Sequence, residues 1–171
     1  MPMFKIRKAT ALALLLLTLA FSLFFASCGA SRGGAVTSNA AFGYCPVCHM
    51  KVRASDDWAA EIYYRDQTKL LFESPGDMLA FYTSPRGYEV DEAHKDRANI
   101  ARIMVKDYSS KQPTDAGQAV FVYKSKVEGP MGADFFPFSK REDGAAFVAA
   151  NGGILLSLSE VTGEMARDLR K

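Results

Sequence analysis

The chain has 171 residues, 49% of them apolar and 23% charged, with 13 Gly and 7 Pro; this composition belongs to a globular protein and excludes a disordered or collagen-like one. Its formal charge of +2 comes from the first segment, because Lys5, Arg7 and Lys8 precede Cys28 and no acidic residue does. The remainder, with 18 basic against 19 acidic side chains, excludes a basic nucleic-acid-binding surface and is long enough to bury a core.

Lys5, Ile6, Arg7 and Lys8 followed by Ala9–Ser27 read as the charged and apolar regions of an export signal. The uncharged block Ala11 to Phe25 also has the length of a marginal membrane-spanning anchor. Phe25-Ala26-Ser27-Cys28-Gly29 resembles a bacterial lipoprotein signal, with Phe25 where Leu is usual. The resemblance implies a signal peptide over 1–27, lipidation at Cys28 and an extracytoplasmic, periplasm-facing location. Gly29 in place of Asp implies sorting to an outer membrane if the organism has one. Residues 28–41 then form a lipid-attached tether, Gly/Ser-rich from Gly29 to Asn39.

Structure is expected from Phe42. Trp58–Arg65 and Lys69–Phe72 are strand-like runs separated by Asp66-Gln67-Thr68, a hairpin pattern. Ser74-Pro75-Gly76-Asp77 has the form of a capping box with Pro at the first helical position, and predicts a helix over Pro75–Thr83 that buries Met78, Leu79 and Tyr82. Ser84-Pro85 stops it. Arg86–Asp96 reads as a polar loop, Ile100–Tyr108 as a strand with Ile103 and Val105 on one side, and Ser109–Asp115 as a turn. Gln118–Lys124 predicts a buried strand and Asp134–Phe138 a shorter one. A second capping box, Ser139 to Glu142, predicts a helix over Lys140–Ala150 ended by Asn151-Gly152-Gly153. Ile154–Leu158 reads as a strand, and Ser159 as the cap of a last helix, Glu160–Arg170.

The two halves repeat a pattern. Phe72 and Phe138, Asp77 and Asp143, and Phe81 and Phe147 are all offset by 66 residues. The expected fold is α+β, two small tandem related units over 42–96 and 97–171.

Chemistry concentrates in Cys45-Pro46-Val47-Cys48-His49-Met50. Thiolate and thioether sulfur favour soft Cu(I), and imidazole suits several metals. On an extended segment Cys48 and Met50 face one side and His49 the other; on a turn, His49 joins the site. Met131, in Gly129-Pro130-Met131-Gly132, is a further sulfur donor on a loop with little core to fill. Met78 and Met104 lie on apolar periodic faces and read as core.

The lipoprotein signal, the short tether, C-P-V-C-H-M, Asp107-Tyr108, G-P-M-G-A with Pro137-Phe138, and the late G-G-I-L-L together resemble the nitrous-oxide reductase accessory lipoproteins, the NosL family. The resemblance spans about Phe42–Leu169. It implies two related ββαβ-type units and an extracytoplasmic Cu(I) chaperone that passes copper to a membrane-associated maturation complex serving nitrous-oxide reductase. It also places a Cys-x-Met copper motif on Cys48 and Met50, and a Gly-rich-loop Met on Met131. His49 stands where relatives with C-x-x-C usually carry Gly, and Cys45 is not shared by all of them.

Cys45-Pro46-Val47-Cys48 also fits a thiol-disulfide oxidoreductase motif, but only a tether is expected before it and Lys51–Trp58 does not read as a long helix that would activate a thiol. With Cys28 lipidated, Cys45 and Cys48 are the remaining pair, for which an exported protein ordinarily expects a structural disulfide. A structural zinc site needs a fourth ligand, and the other histidine, His94, lies in a polar loop and reads as solvated. No catalytic triad or phosphate loop is present, so no enzymatic turnover is expected. Two protein ligands leave Cu(I) open to a third, which allows a monomer or a copper-bridged dimer.

Overall fold

The computed structural model describes residues 42–169; the expected signal peptide, Cys28, the whole of the expected tether and the expected helix end at Arg170 lie outside them. Among the described residues no helix is long and apolar enough to cross a membrane. The fold is α+β. A small hairpin, β1 (Gly43–Tyr44) and β2 (Lys51–Val52), precedes two larger antiparallel sheets.

The first sheet has β3 (Ala60–Tyr64) and β4 (Lys69–Phe72) as a hairpin, then α1 (Pro75–Thr83), a short α2 (Glu92–Lys95), β5 (Ile100–Lys106) and the edge strand β6 (Pro113–Asp115). The order is β4-β3-β5-β6. The second has β7 (Val120–Tyr123) and β8 (Phe136–Phe138), then α3 (Arg141–Asn151) and β9 (Ile154–Ser157), in the order β8-β7-β9, before α4 (Gly163–Asp168) closes the described chain. In each sheet the strand that follows the long helix pairs with the free side of the hairpin's first strand. Ile100–Lys106 lies past residue 96, yet it pairs with β3, Ile62 opposite Ile103.

Period-2 burial explains the layering. Ala60, Ile62 and Tyr64 of β3 are buried, as are Ile103 and Val105 of β5. Strand β7 is buried on both faces: Phe121 and Tyr123 join the main core with Phe72, Met78 and Phe81, while Val122 joins Phe136 and Phe138 in a second cluster with Phe147 of α3. The junction between the sheets is aromatic. Trp58, Tyr108 and Phe136 meet edge to face at centroid separations of 5.2–5.8 Å, a favoured geometry for ring pairs.

Helix α1 occupies the expected range. Ser74 Oγ accepts from the Asp77 amide at 3.3 Å, Pro75 opens the helix, and the Ser84 amide closes on Ala80 and Phe81. Met78 and Leu79 are buried and Tyr82 is half-buried. The second capping box does not form. Lys140 is the cap residue without a side-chain bond, because the Ser139 amide and hydroxyl donate instead to Asp107 Oδ2 at 2.7 and 2.9 Å. Ser159 caps no long helix either: Ser157 opens a 3-10 turn, Leu158–Glu160, and Thr162 caps α4. The loops read over 86–96 and 109–115 contain α2 and β6. Met104 is half-buried on β5.

Asp107 ties the end of β5 to the end of β8. Its carboxylate also accepts the amides of Ser109 and Ser110 and the Ser110 hydroxyl. Burial alone would raise this carboxyl, but the Ser139 and Ser110 donors outweigh it and hold the pKa down at about 2. The folded value lies below the unfolded value of about 3.9, so the stabilisation is present above pH 4 and is lost as pH falls toward 2. Asp107→Ala is expected to lower stability by about 2–3 kcal/mol at pH 7 in urea unfolding. The gap from wild type should narrow steadily between pH 4 and pH 2; a gap independent of pH would refute the assignment.

Candidate metal centre

The motif Cys45–Met50 is the loop of the β1–β2 hairpin, in which Gly43 faces Val52 and Tyr44 faces Lys51. The Cys45 amide donates to the Met50 carbonyl and the His49 amide to the Cys45 carbonyl, both at 2.9 Å. Pro46 suits the first turn position, since its φ is preset and its missing N–H is not needed. Of the two arrangements open to Cys48–Met50, extended or turn, the segment takes the turn. His49 closes it with φ +61°, in the left-handed region that glycine enters without cost and that His tolerates better than most residues.

The turn carries Cys45 inward. Cys45 is fully buried, and its Sγ donates to Asp77 Oδ2 at 3.1 Å. Cys48 is half-buried, and the ligand atoms of Cys45, Cys48 and Asp77 all lie within 4.8 Å of one another. Both cysteines are free thiols. Burial, then the charge of Asp77, pushes the Cys45 thiol up. Burial, then its hydrogen bond with Asp77, pushes Cys48 well above the ordinary range. Both thiols rest protonated, the opposite of the activated thiolate of a redox motif.

Asp77 stands in the first turn of α1, one residue after Gly76, whose amide donates to Asp134 Oδ1 at 2.6 Å. The same oxygen accepts the Phe135 amide at 2.7 Å. Burial pushes Asp134 up to about 6, against the opposing hydrogen bonds from Ser74, Phe135 and Gly76, and Asp77 adds to the rise. Met131 is at the tip of a tight turn closed by Gly129 and Gly132, whose amides each donate to the other's carbonyl at 2.6 and 3.3 Å. It is 59% exposed. Met131, Gly76, Asp77 and Asp134 line one cleft of about 280 Å³. A larger groove of about 930 Å³, lined by Arg86, Arg97 and Arg167, contains none of the sulfur donors.

The structure thus unites Cys45 and Cys48, adds Asp77, and sets Met131 on a cleft bordered by that same carboxylate. Met50 is 52% exposed at the base of the loop. His49 is exposed and is not among the grouped ligand atoms. His94 is half-buried rather than solvated, bonded through Nε2 to Thr68 Oγ1 at 2.8 Å and set against Tyr64. Asp77 and Asp134 were not singled out for the site from sequence. In the sequence Asp77 reads as a cap position and a repeat match, and Asp134 as the start of a strand.

The family model described as NosL matches residues 37–166, and the chain belongs to the NosL family. It is 31% identical over 130 residues to the copper-binding lipoprotein NosL of Achromobacter cycloclastes, an alignment covering 69% of this chain and 63% of that protein. The chain therefore spans less than two thirds of that relative's length. The crystal structure of the copper chaperone NosL from Shewanella denitrificans is similar at a TM-score of 0.58 and 25% identity, over 71% of this chain and 91% of that one. A solution structure of apo-NosL from Achromobacter cycloclastes gives 0.46 at 29% identity, over 63% and 87%.

The left-handed position makes a prediction that is independent of metal. His49→Gly is expected to raise stability by about 1 kcal/mol and His49→Val to lower it by at least about that much, measured by urea unfolding of the metal-free reduced protein. Equal stabilities of the Gly and Val variants would rule out the strained turn.

Proposed function

We propose, with membership of the NosL family as the premise, that this chain is a lipid-anchored extracytoplasmic metallochaperone. It binds Cu(I) as cargo and delivers it to a membrane-associated maturation complex of a copper enzyme, nitrous-oxide reductase being the recipient to which the family's name points. The observation that carries this reading is the convergence of Cys45 and Cys48 beside Asp77 within 4.8 Å.

The donor set fits the cargo. Cys48, Met50 and Met131 offer one thiolate and two thioethers, with Cys45 as a second thiol; soft sulfur suits Cu(I) and discriminates against hard cations. Both thiols release protons as they bind, and a positive ion reverses the electrostatics that keep them protonated. Asp77 is a poor Cu(I) ligand as a hard oxygen donor. Its negative charge still favours a cation beside the thiols. Exposure of Met50 and Met131 leaves the metal open to an incoming ligand from the recipient, which is what transfer requires. His49 contributes its backbone geometry in this reading.

The proposed organisation is a signal peptide over 1–27, lipidation at Cys28, a tether over 28–41, and two related ββαβ units, whose shared strand order supports the relation. The protein acts as a monomer or a copper-bridged dimer, without nucleic acid and without turnover. The raised thiols speak against the oxidoreductase alternative for Cys45 and Cys48.

The test is a Cu(I) titration of the reduced, detergent-solubilised chain against a chromophoric chelator, with Cys48→Ser, Met50→Ala and Met131→Ala beside wild type. One tight equivalent is expected, weakened about a hundredfold or more by Cys48→Ser, or about 2.7 kcal/mol, and less by each Met variant. Equal affinity of wild type and Cys48→Ser would reject the function.

A further inference from the structure

The thiol hairpin and the Met131 hairpin come from distant parts of the chain, yet both are fastened to the first turn of α1. Asp77 accepts from the buried Cys45 thiol at 3.1 Å. One residue earlier, the Gly76 amide is held by Asp134, three residues after Met131. The fit around Asp134 leaves no slack. A Cβ on Gly76 would lie 2.7 Å from Asp134 Oδ1, and a Cβ on Gly129, at the base of the Met131 turn, 2.8 Å from Asp134 Cβ. Asp134 itself is 5% exposed, although it belongs to a connection whose tip is open to solvent.

We propose that Asp134 is a positioning residue for metal capture: by clamping the base of the Gly129–Gly132 turn to the first turn of α1, it holds the Met131 thioether on the cleft bordered by Asp77 and so presents it to the metal held by the thiols. The inference rests on the reading of Met131 as a Cu(I) donor. Without the clamp, the two bonds between Gly129 and Gly132 close the turn on itself but do not aim it. A donor already ordered before the metal arrives adds affinity because its ordering is not charged to binding. Asp134 performs this role through the acceptor oxygen that takes the Gly76 and Phe135 amides.

The test is a double-mutant cycle on the full reduced chain in detergent, with Cu(I) affinity read by chelator competition for wild type, Met131→Ala, Asp134→Ala and the double variant. Asp134→Ala and Met131→Ala are each expected to weaken binding about tenfold or more, in the range of residues that orient metal ligands. The double variant should be no weaker than Met131→Ala alone. Asp134→Asn keeps an acceptor oxygen and should recover most of the affinity lost in Asp134→Ala. Gly76→Ala, which thrusts a methyl group against Oδ1, should repeat the Met131-dependent loss, and it replaces Asp134→Ala in the cycle if that variant does not fold. Losses of equal factor with and without Met131 would mark a merely structural residue and overturn the proposal, as would wild-type affinity in Asp134→Ala or in Met131→Ala. Failure of wild type itself to bind Cu(I) would instead sink the copper function, and this inference with it.

Discussion

The first turn of α1 bears more than its own helix. Four consecutive residues act there: the Ser74 hydroxyl caps the Asp77 amide, Pro75 sets the entry, the Gly76 amide holds Asp134, and the Asp77 carboxylate receives the Cys45 thiol. A helix N-terminus has unpaired amides and a partial positive charge, which is the environment in which two buried carboxylates can sit close together. One of them fastens the cysteine hairpin and the other the methionine turn. Without this turn, the small β1–β2 hairpin would lose its buried thiol anchor, and the 129–134 connection its hold on the first sheet.

The shared connectivity of the two sheets sharpens this asymmetry. Asp77 and Asp143 occupy equivalent places in the sequence pattern, each in the opening turn of a helix that follows a hairpin. Asp77 is buried against sulfur, whereas Asp143 is exposed. The difference comes from what precedes each hairpin. Before β3 stands the Cys45–Met50 loop, which covers the end of α1; before β7 stands only the edge strand β6, which pairs with β5. The second unit contributes through a loop, 129–134, inserted between its two hairpin strands, and that loop reaches back to α1.

Local signals in the sequence were reliable where the residues that make them have no distant competitor. Ser74-Pro75-Gly76-Asp77 and the stop at Ser84-Pro85 delimit α1 as observed, and the buried-strand reading of Gln118–Lys124 marks β7. The same capping grammar fails at Ser139, whose hydroxyl is claimed by Asp107, 32 residues away. It fails at Ser159 because Ser157 and Thr162 are better placed to cap. The Cys-x-Met pair was legible as chemistry, but its geometry was not. Extended segment and turn were both open, and the turn forms with His49 in a left-handed conformation, which residue type alone does not dictate. Asp77 and Asp134 were invisible as site residues for one reason: each meets its partner across 32 or 58 residues, and no pattern of short period encodes such a meeting.

The chain's one tryptophan lies at the aromatic junction, against Tyr108 and Phe136, beneath the Lys111 ammonium. Its surroundings join the entry to β3, the exit of β5 and the hairpin strand β8, and include none of the sulfur donors. Intrinsic fluorescence in this protein is therefore an optical gauge of how the two sheets abut. A spectral shift would register a change at that junction, since the indole's ring contacts are Tyr108, Phe136 and Lys111.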